Sequence, residues 1–135
     1  MTSSEAPTTH FELIGAEEGV RGLVDHFYDV MDTAPEAAGI RALHAKSLDT
    51  SRMKLRLFLT GWLGGPPVYV EQYGHPMLRA RHLPFPIGEP EADAWVWCMD
   101  QALDEADIPT DLRNHLRMRF RAVADHMRNR AEDAD

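Results

Sequence analysis

Apolar side chains recur at helical spacing through most of the chain. Val20, Leu23, Val24, Phe27 and Met31 fall at i, i+3, i+4, i+7 and i+11. That single stripe predicts a helix over 16–32. Glu17 and Glu18 stand in its first turn, where the helix dipole favours carboxylates, and Pro35 stops it. Ile40 and Leu43 can seat one helical turn within 40–45. A second helix is predicted over 51–63, carrying Met53, Leu55, Leu57, Phe58, Leu59 and Trp62. Asp49 or Thr50 is its expected cap, and Gly64-Gly65-Pro66-Pro67 ends it. Short helical pieces follow over 68–73 and 76–82, the latter with Pro76 in its first turn. Residues 89–106 read as a strong helix with Trp95, Cys98, Met99, Ala102 and Leu103 down one side. Thr110 is the expected cap of a last helix carrying Leu112, Leu116, Phe120, Val123 and Met127. No segment alternates with period two for long enough to read as a strand; only 67–69 is a weak candidate. The expected architecture is all-α.

The ends differ from the middle. Residues 1–12 are polar, contain Pro7, and read as a flexible leader. Residues 13–128 read as one domain and 129–135 as a charged tail. A chain of 135 residues is one domain in size, and 44% apolar residues are enough for a core without a disulfide or zinc staple. The lone cysteine, Cys98, excludes an internal disulfide and reads as a buried filler. With no secretory start at Met1–Thr9, a cytoplasmic location is expected. No run approaches the ~20 apolar residues of a membrane span. Fourteen basic against 22 acidic residues give a net charge of −8, which disfavours nucleic acid as a partner. Seven histidines are the first hint of chemistry.

Residues 64–88 sharpen that hint. Pro66, Pro67, Pro76, Pro84 and Pro86 break the segment, yet it holds His75, His82, Tyr69, Tyr73, Arg79 and Arg81. Proline-rich chain that still carries such groups reads as the shaped wall of a site. His75 and His82 are separated by Pro76 and lack the spacing of a metalloprotease pair. A lone histidine is commonly a surface or satisfied core residue. His82, however, closes a short helix, follows Arg79 and Arg81, and precedes Leu83-Pro84-Phe85. An axial haem ligand needs that setting: an imidazole, a cation for a propionate and an apolar wall for the macrocycle. Tyr28 lies four residues after Val24 and can face inward. Trp95 and Trp97 are about 200° apart on a helix, so one of them faces the interior, and Trp95 continues the apolar side. Tyr28 and Trp95 are either plain core aromatics or a phenol and an indole N–H converging on a small polar ligand. The arginines of the last helix read as a solvated face.

The run Gly61-Trp62-Leu63-Gly64-Gly65-Pro66-Pro67, then Tyr69, Gly74-His75-Pro76, Leu78-Arg79-Ala80-Arg81-His82-Leu83-Pro84-Phe85, Asp93-Ala94-Trp95 and Cys98-Met99 resembles group II truncated haemoglobins. His26-Phe27-Tyr28 also matches, and the resemblance spans residues 12–128. It implies a truncated globin fold, a two-over-two helical sandwich around haem b. The match places the proximal histidine, the metal ligand, on His82. It places the distal tyrosine on Tyr28, the distal tryptophan on Trp95, and a position usually held by tyrosine, phenylalanine or histidine on His44. Lys54 and Arg81 match positions that neutralise propionates, and Tyr69 a loop tyrosine near one. Ser51, Leu55 and Phe58 would face the haem from the distal helix, and Phe85 adds to its apolar wall. Gly15-Ala16 stands where the family has a glycine pair.

The resemblance further implies reversible binding of O2, and of NO and CO, at ferrous iron. Bound O2 carries partial negative charge, so donors from Tyr28 and Trp95 would hold it, with His44 as a further donor or proton relay. Slow release suits redox chemistry, such as NO detoxification or peroxidase-like turnover, over oxygen transport. NO turnover would need a reductase partner. The other reading is a cofactor-free helical interaction domain in which these aromatics are core. Such a domain has no need of a proline-rich wall holding arginine and histidine.

Overall fold

The computed structural model describes residues 9–129, apart from the side chains of Arg79 and Arg81. Its helices are α1 (His10–Leu13), α2 (Ala16–Thr33), α3 (Ala38–Arg41), α4 (Asp49–Trp62), α5 (Val68–Tyr73), α6 (Leu78–His82), α7 (Glu89–Glu105) and α8 (Thr110–His126), with a 3₁₀ turn at Pro35–Ala37. The described residues contain no strand, as the absence of period-two patterning predicts. None of their helices is long and apolar enough to cross a membrane.

Two antiparallel pairs make the body. α2 packs on α4, α7 packs on α8, and α2 crosses α7 between the pairs. The predicted stripe of α2 is buried along its whole length, from Val20 to Met31. It meets Leu59 of α4, Met99 and Leu103 of α7, and Leu116 and Phe120 of α8 in one core. Arg52 of α4 reaches Asp25 (3.2 Å) and Asp29 (2.8 Å) of α2. On α8, Arg117 pairs with Asp100 and Asp104, and Arg121 with Asp93 and Asp125. The expected solvated arginine face is thus partly a seam between α7 and α8, although half-exposed pairs of this kind each contribute little.

Several boundaries move for physical reasons. The leader is not loose up to residue 12. Thr9 Oγ1 accepts from Glu12 N–H (3.1 Å) and Glu12 Oε1 from Thr9 N–H (3.3 Å), a capping box that starts α1. Phe11 N–H donates to Leu63 O at 2.8 Å. Its ring lies where a Cβ on Gly65 would come within 2.8 Å, so glycine there is a packing requirement. Gly19 has a similar role: a Cβ would meet Ile14 O at 1.8 Å, and only glycine allows α1 to turn so sharply into α2. Residues 1–8 of the expected leader and 130–135 of the expected tail lie outside the described residues. Asn129, placed with the tail by its sequence, is bonded into the fold. Neither Asp49 nor Thr50 caps α4. Leu48 is its first cap residue and is buried, so core packing outweighs a side-chain cap there. Pro109 takes the place expected of Thr110, which lies inside α8. α6 begins at Leu78, two residues after Pro76, and is preceded by a left-handed Met77 (φ 50°) whose N–H donates to His75 Nδ1.

Candidate functional site

A cavity of about 600 Å³ opens between the two helix pairs, closed on its remaining side by α5, α6 and the loop to α7. Its walls are mostly apolar, and its size suits a cofactor. It gathers residues from nearly every element, so the sequence order of the site says little about its shape.

His82, the last residue of α6, lines one wall. Its Nδ1 stands 2.7 Å from Leu78 O, one turn back. A carbonyl can only accept, so Nδ1 carries a proton, and in the neutral ring Nε2 then keeps its lone pair. A neutral imidazole oriented by a backbone carbonyl has the chemistry of an axial metal ligand. Among the described residues no cluster of three His, Cys, Asp or Glu side chains exists that would hold a bare metal ion. One unpaired imidazole nitrogen in a large apolar cavity fits a macrocycle that brings its own equatorial ligands. His75 does not line the cavity; it serves the turn before α6.

The cavity lining also carries Tyr28, His44 and Trp95. Tyr28 is 6% exposed, and its ring lies edge-on to Phe27 (4.8 Å between centroids) and to His44 (5.9 Å). Burial pushes its phenol up to about 12, against the opposing effects of a hydrogen bond with Ser51 and the charge of Arg52. Tyr28 is therefore a protonated donor at neutral pH. His44 Nδ1 lies 2.9 Å from Ile40 O, which leaves its Nε2 as the uncommitted nitrogen. Trp95 packs edge-on to Phe27 (5.1 Å) and against Phe120 (5.8 Å), and it lines the cavity. Trp97 packs on the same core but not on the cavity, as the helical angle between them predicts.

The remaining expected residues fall around the rim and floor. Leu55, Phe58 and Ser51 line the cavity from α4. Tyr69 is buried against Phe58 (6.1 Å) and Tyr73 (5.0 Å). Lys54 also lines the cavity, and its Nζ sits 5.3 Å over the Tyr73 ring. Phe85 lines it from the α6–α7 loop and is 40% exposed. Arg81 lies in α6 next to His82; its side chain is outside the described part of the structure.

Sequence reasoning missed further contributors. Trp62 and Phe120 stack at 4.9 Å and both line the cavity, although their helical spacing marked them only as core. Asn129 bonds the loop that follows His82, and nothing in its sequence neighbourhood signals it.

Residues 9–129 match the family described as Bacterial-like globin. The chain is 43% identical over 125 residues to the group 2 truncated hemoglobin YjbI of Bacillus subtilis, covering 93% of this chain and 92% of that one. Its structure is similar to a group II 2-on-2 hemoglobin from Agrobacterium tumefaciens, with a TM-score of 0.91 and 46% identity over 96% of this chain and 100% of the other. It is also similar to a truncated oxygen-avid haemoglobin from Bacillus subtilis, with a TM-score of 0.83 and 43% identity over 90% of this chain and 100% of that one. Two packed helix pairs around one apolar cavity, together with these likenesses across nearly the whole chain, establish that the protein belongs to the group II truncated haemoglobins.

Proposed function

We propose that His82 would hold haem b in this cavity through its Nε2, and that the protein binds O2, NO or CO with Tyr28, His44 and Trp95 as the polar groups that meet the ligand. The observation that carries this reading is the bond from His82 Nδ1 to Leu78 O inside an apolar cavity of haem size. Bound there, haem supplies a ferrous centre able to take a diatomic ligand and to exchange electrons.

The protein's own groups do the rest. The Leu78 carbonyl holds one His82 tautomer and makes its Nε2 a better donor of electron density. Leu55, Phe58, Phe85 and Trp62 exclude water from the cavity. Lys54, Arg81 and Tyr69 are suited to the propionate edge. The Tyr28 hydroxyl and the Trp95 indole N–H are donors for a partly negative ligand. In a dry pocket each hydrogen bond contributes on the order of 1 kcal/mol or more, so two together slow ligand release strongly. Ser51 orients Tyr28, and His44 Nε2 is placed to accept or pass on a proton. Slow release favours redox work on the ligand, NO detoxification or peroxidase-like turnover, over delivery. The oxygen-avid relative from Bacillus subtilis supports the same direction.

The test is an absorption spectrum of the protein reconstituted with haem, reduced and exposed to CO, beside His82→Ala. A saturable Soret band and a CO complex in the native chain, with coordination lost in the variant, are expected. No saturable spectrum, or an identical one in the variant, would overturn the assignment of His82.

A further inference from the structure

The loop after His82 cannot hold itself. Pro84 and Pro86 have no N–H, so the chain between α6 and α7 cannot continue a helical ladder. Its internal backbone bonds are short turns, such as Phe85 N–H to His82 O at 3.0 Å. The missing partners come from the other end of the molecule. Asn129, three residues beyond α8, donates through Nδ2 to His82 O (3.2 Å) and to Phe85 O (2.8 Å). Its Oδ1 accepts from Ile87 N–H (3.0 Å), and its own N–H donates to Ile87 O (2.8 Å). One residue thus bonds three consecutive anchor points of the loop, 42 to 47 positions away in sequence.

The proximal histidine is gripped at two places as a result. Its ring is held from behind by the Leu78 carbonyl, and its own carbonyl is held from outside by the Asn129 carboxamide. Those two bonds restrict both the ring and the peptide plane on which the ring is carried. Phe85 and Ile87, which line the same cavity, are fixed by the same side chain. Asn129 itself does not line the cavity.

We infer that Asn129 is a positioning residue for the axial ligand: its carboxamide sets the orientation of His82 and the closure of the proximal wall. This rests on the haem reading above. The bonding pattern requires an amide. Two carbonyls face Nδ2 and one N–H faces Oδ1, so an aspartate of the same shape keeps the Ile87 bond but sets a carboxylate oxygen against two carbonyl oxygens.

The experiment compares native protein, Asn129→Asp and Asn129→Gln, reconstituted with haem. It reads the iron–histidine stretching band of the ferrous form by resonance Raman, and haem release to an excess of an acceptor apoglobin. Amide hydrogen exchange at Phe85 and Ile87 is followed in the haem-free chains. Asn129→Asp is expected to move the iron–histidine band, to release haem about tenfold faster, as loss of an outer-shell partner does elsewhere, and to expose both amides. Asn129→Gln, which keeps the carboxamide, is expected to fall between native and Asn129→Asp. A lower unfolding midpoint with an unmoved band and native haem release in both variants would overturn the inference and leave Asn129 as a mere anchor. Should Asn129→Asp fail to take up haem, the band in Asn129→Gln and the exchange of the haem-free chains decide it. A native chain with no haem spectrum sinks the cofactor reading, and this assignment with it.

Discussion

Tyr28 and Trp95 line the cavity from α2 and α7, helices of 18 and 17 residues whose inner faces form the core. His82, in contrast, ends a five-residue helix, and its neighbours Met77, Leu83 and Phe85 are 55%, 50% and 40% exposed. Tyr28 and Trp95 are held by packing. Phe27 and Phe120 touch Trp95, Phe27 touches Tyr28, and no small movement is possible without opening the core. His82 is held by hydrogen bonds to Leu78 O and Asn129. A wall held by packing is rigid with or without a ligand. A wall held by a few bonds on a short helix gains order from whatever it binds.

The largest effect should come from removing haem. Amides between 78 and 87 are expected to exchange about 100-fold faster in the apoprotein, while those of Val20–Met31 stay close to their protection in the holoprotein. Equal loosening of α2 would show that the two walls are not independent.

Alkaline titration should strike the wall that carries Tyr28. Burial raises the Tyr28 phenol to about 12 in the folded chain, above its ordinary 10.0. A raised value means that the unfolded chain ionises first. Stability is therefore intact below pH 10 and falls as pH rises through 12, by about 2–3 kcal/mol for a shift of this size. Cys98, raised to about 11 from 9.0 by burial and then by the charge of Glu36, starts the decline near pH 9. Denaturant unfolding from pH 8 to 12 in native protein and Tyr28→Phe measures this; the variant should keep only the cysteine step. Identical profiles would mean that Tyr28 is wet.

The smallest expected effect is on Trp95. Trp95→Phe keeps an aromatic ring beside Phe27 but removes the indole N–H, and O2 dissociation should quicken about tenfold, the equivalent of one hydrogen bond. An unchanged off-rate in stopped flow would mean that Trp95 only packs, and the distal wall would reduce to Tyr28 and His44.

Much of the frame was legible before any coordinates. Helical spacing predicts α2, α4, α7 and α8 to within a few residues, because each buries a long stripe and the stripe must face one way. The same rule separates Trp95 from Trp97. Local signals failed where packing decided instead. Leu48 displaced Asp49 and Thr50 as the cap of α4 because it is buried. Thr9–Glu12 left the expected leader because Phe11 has a seat over Gly65.

By itself, then, the sequence determined the helices, their inward faces, and the family to which the runs around His82, Tyr28 and Trp95 point. These depend on neighbours three or four residues apart or on short runs of chain. Only the tertiary structure decided which nitrogen of His82 is uncommitted, that Ser51 and Tyr28 meet on one cavity wall, and that Asn129 closes the loop after His82 from 47 residues away. A hydrogen bond depends on where two groups meet in space, and no periodicity along the chain records a meeting between its distant parts.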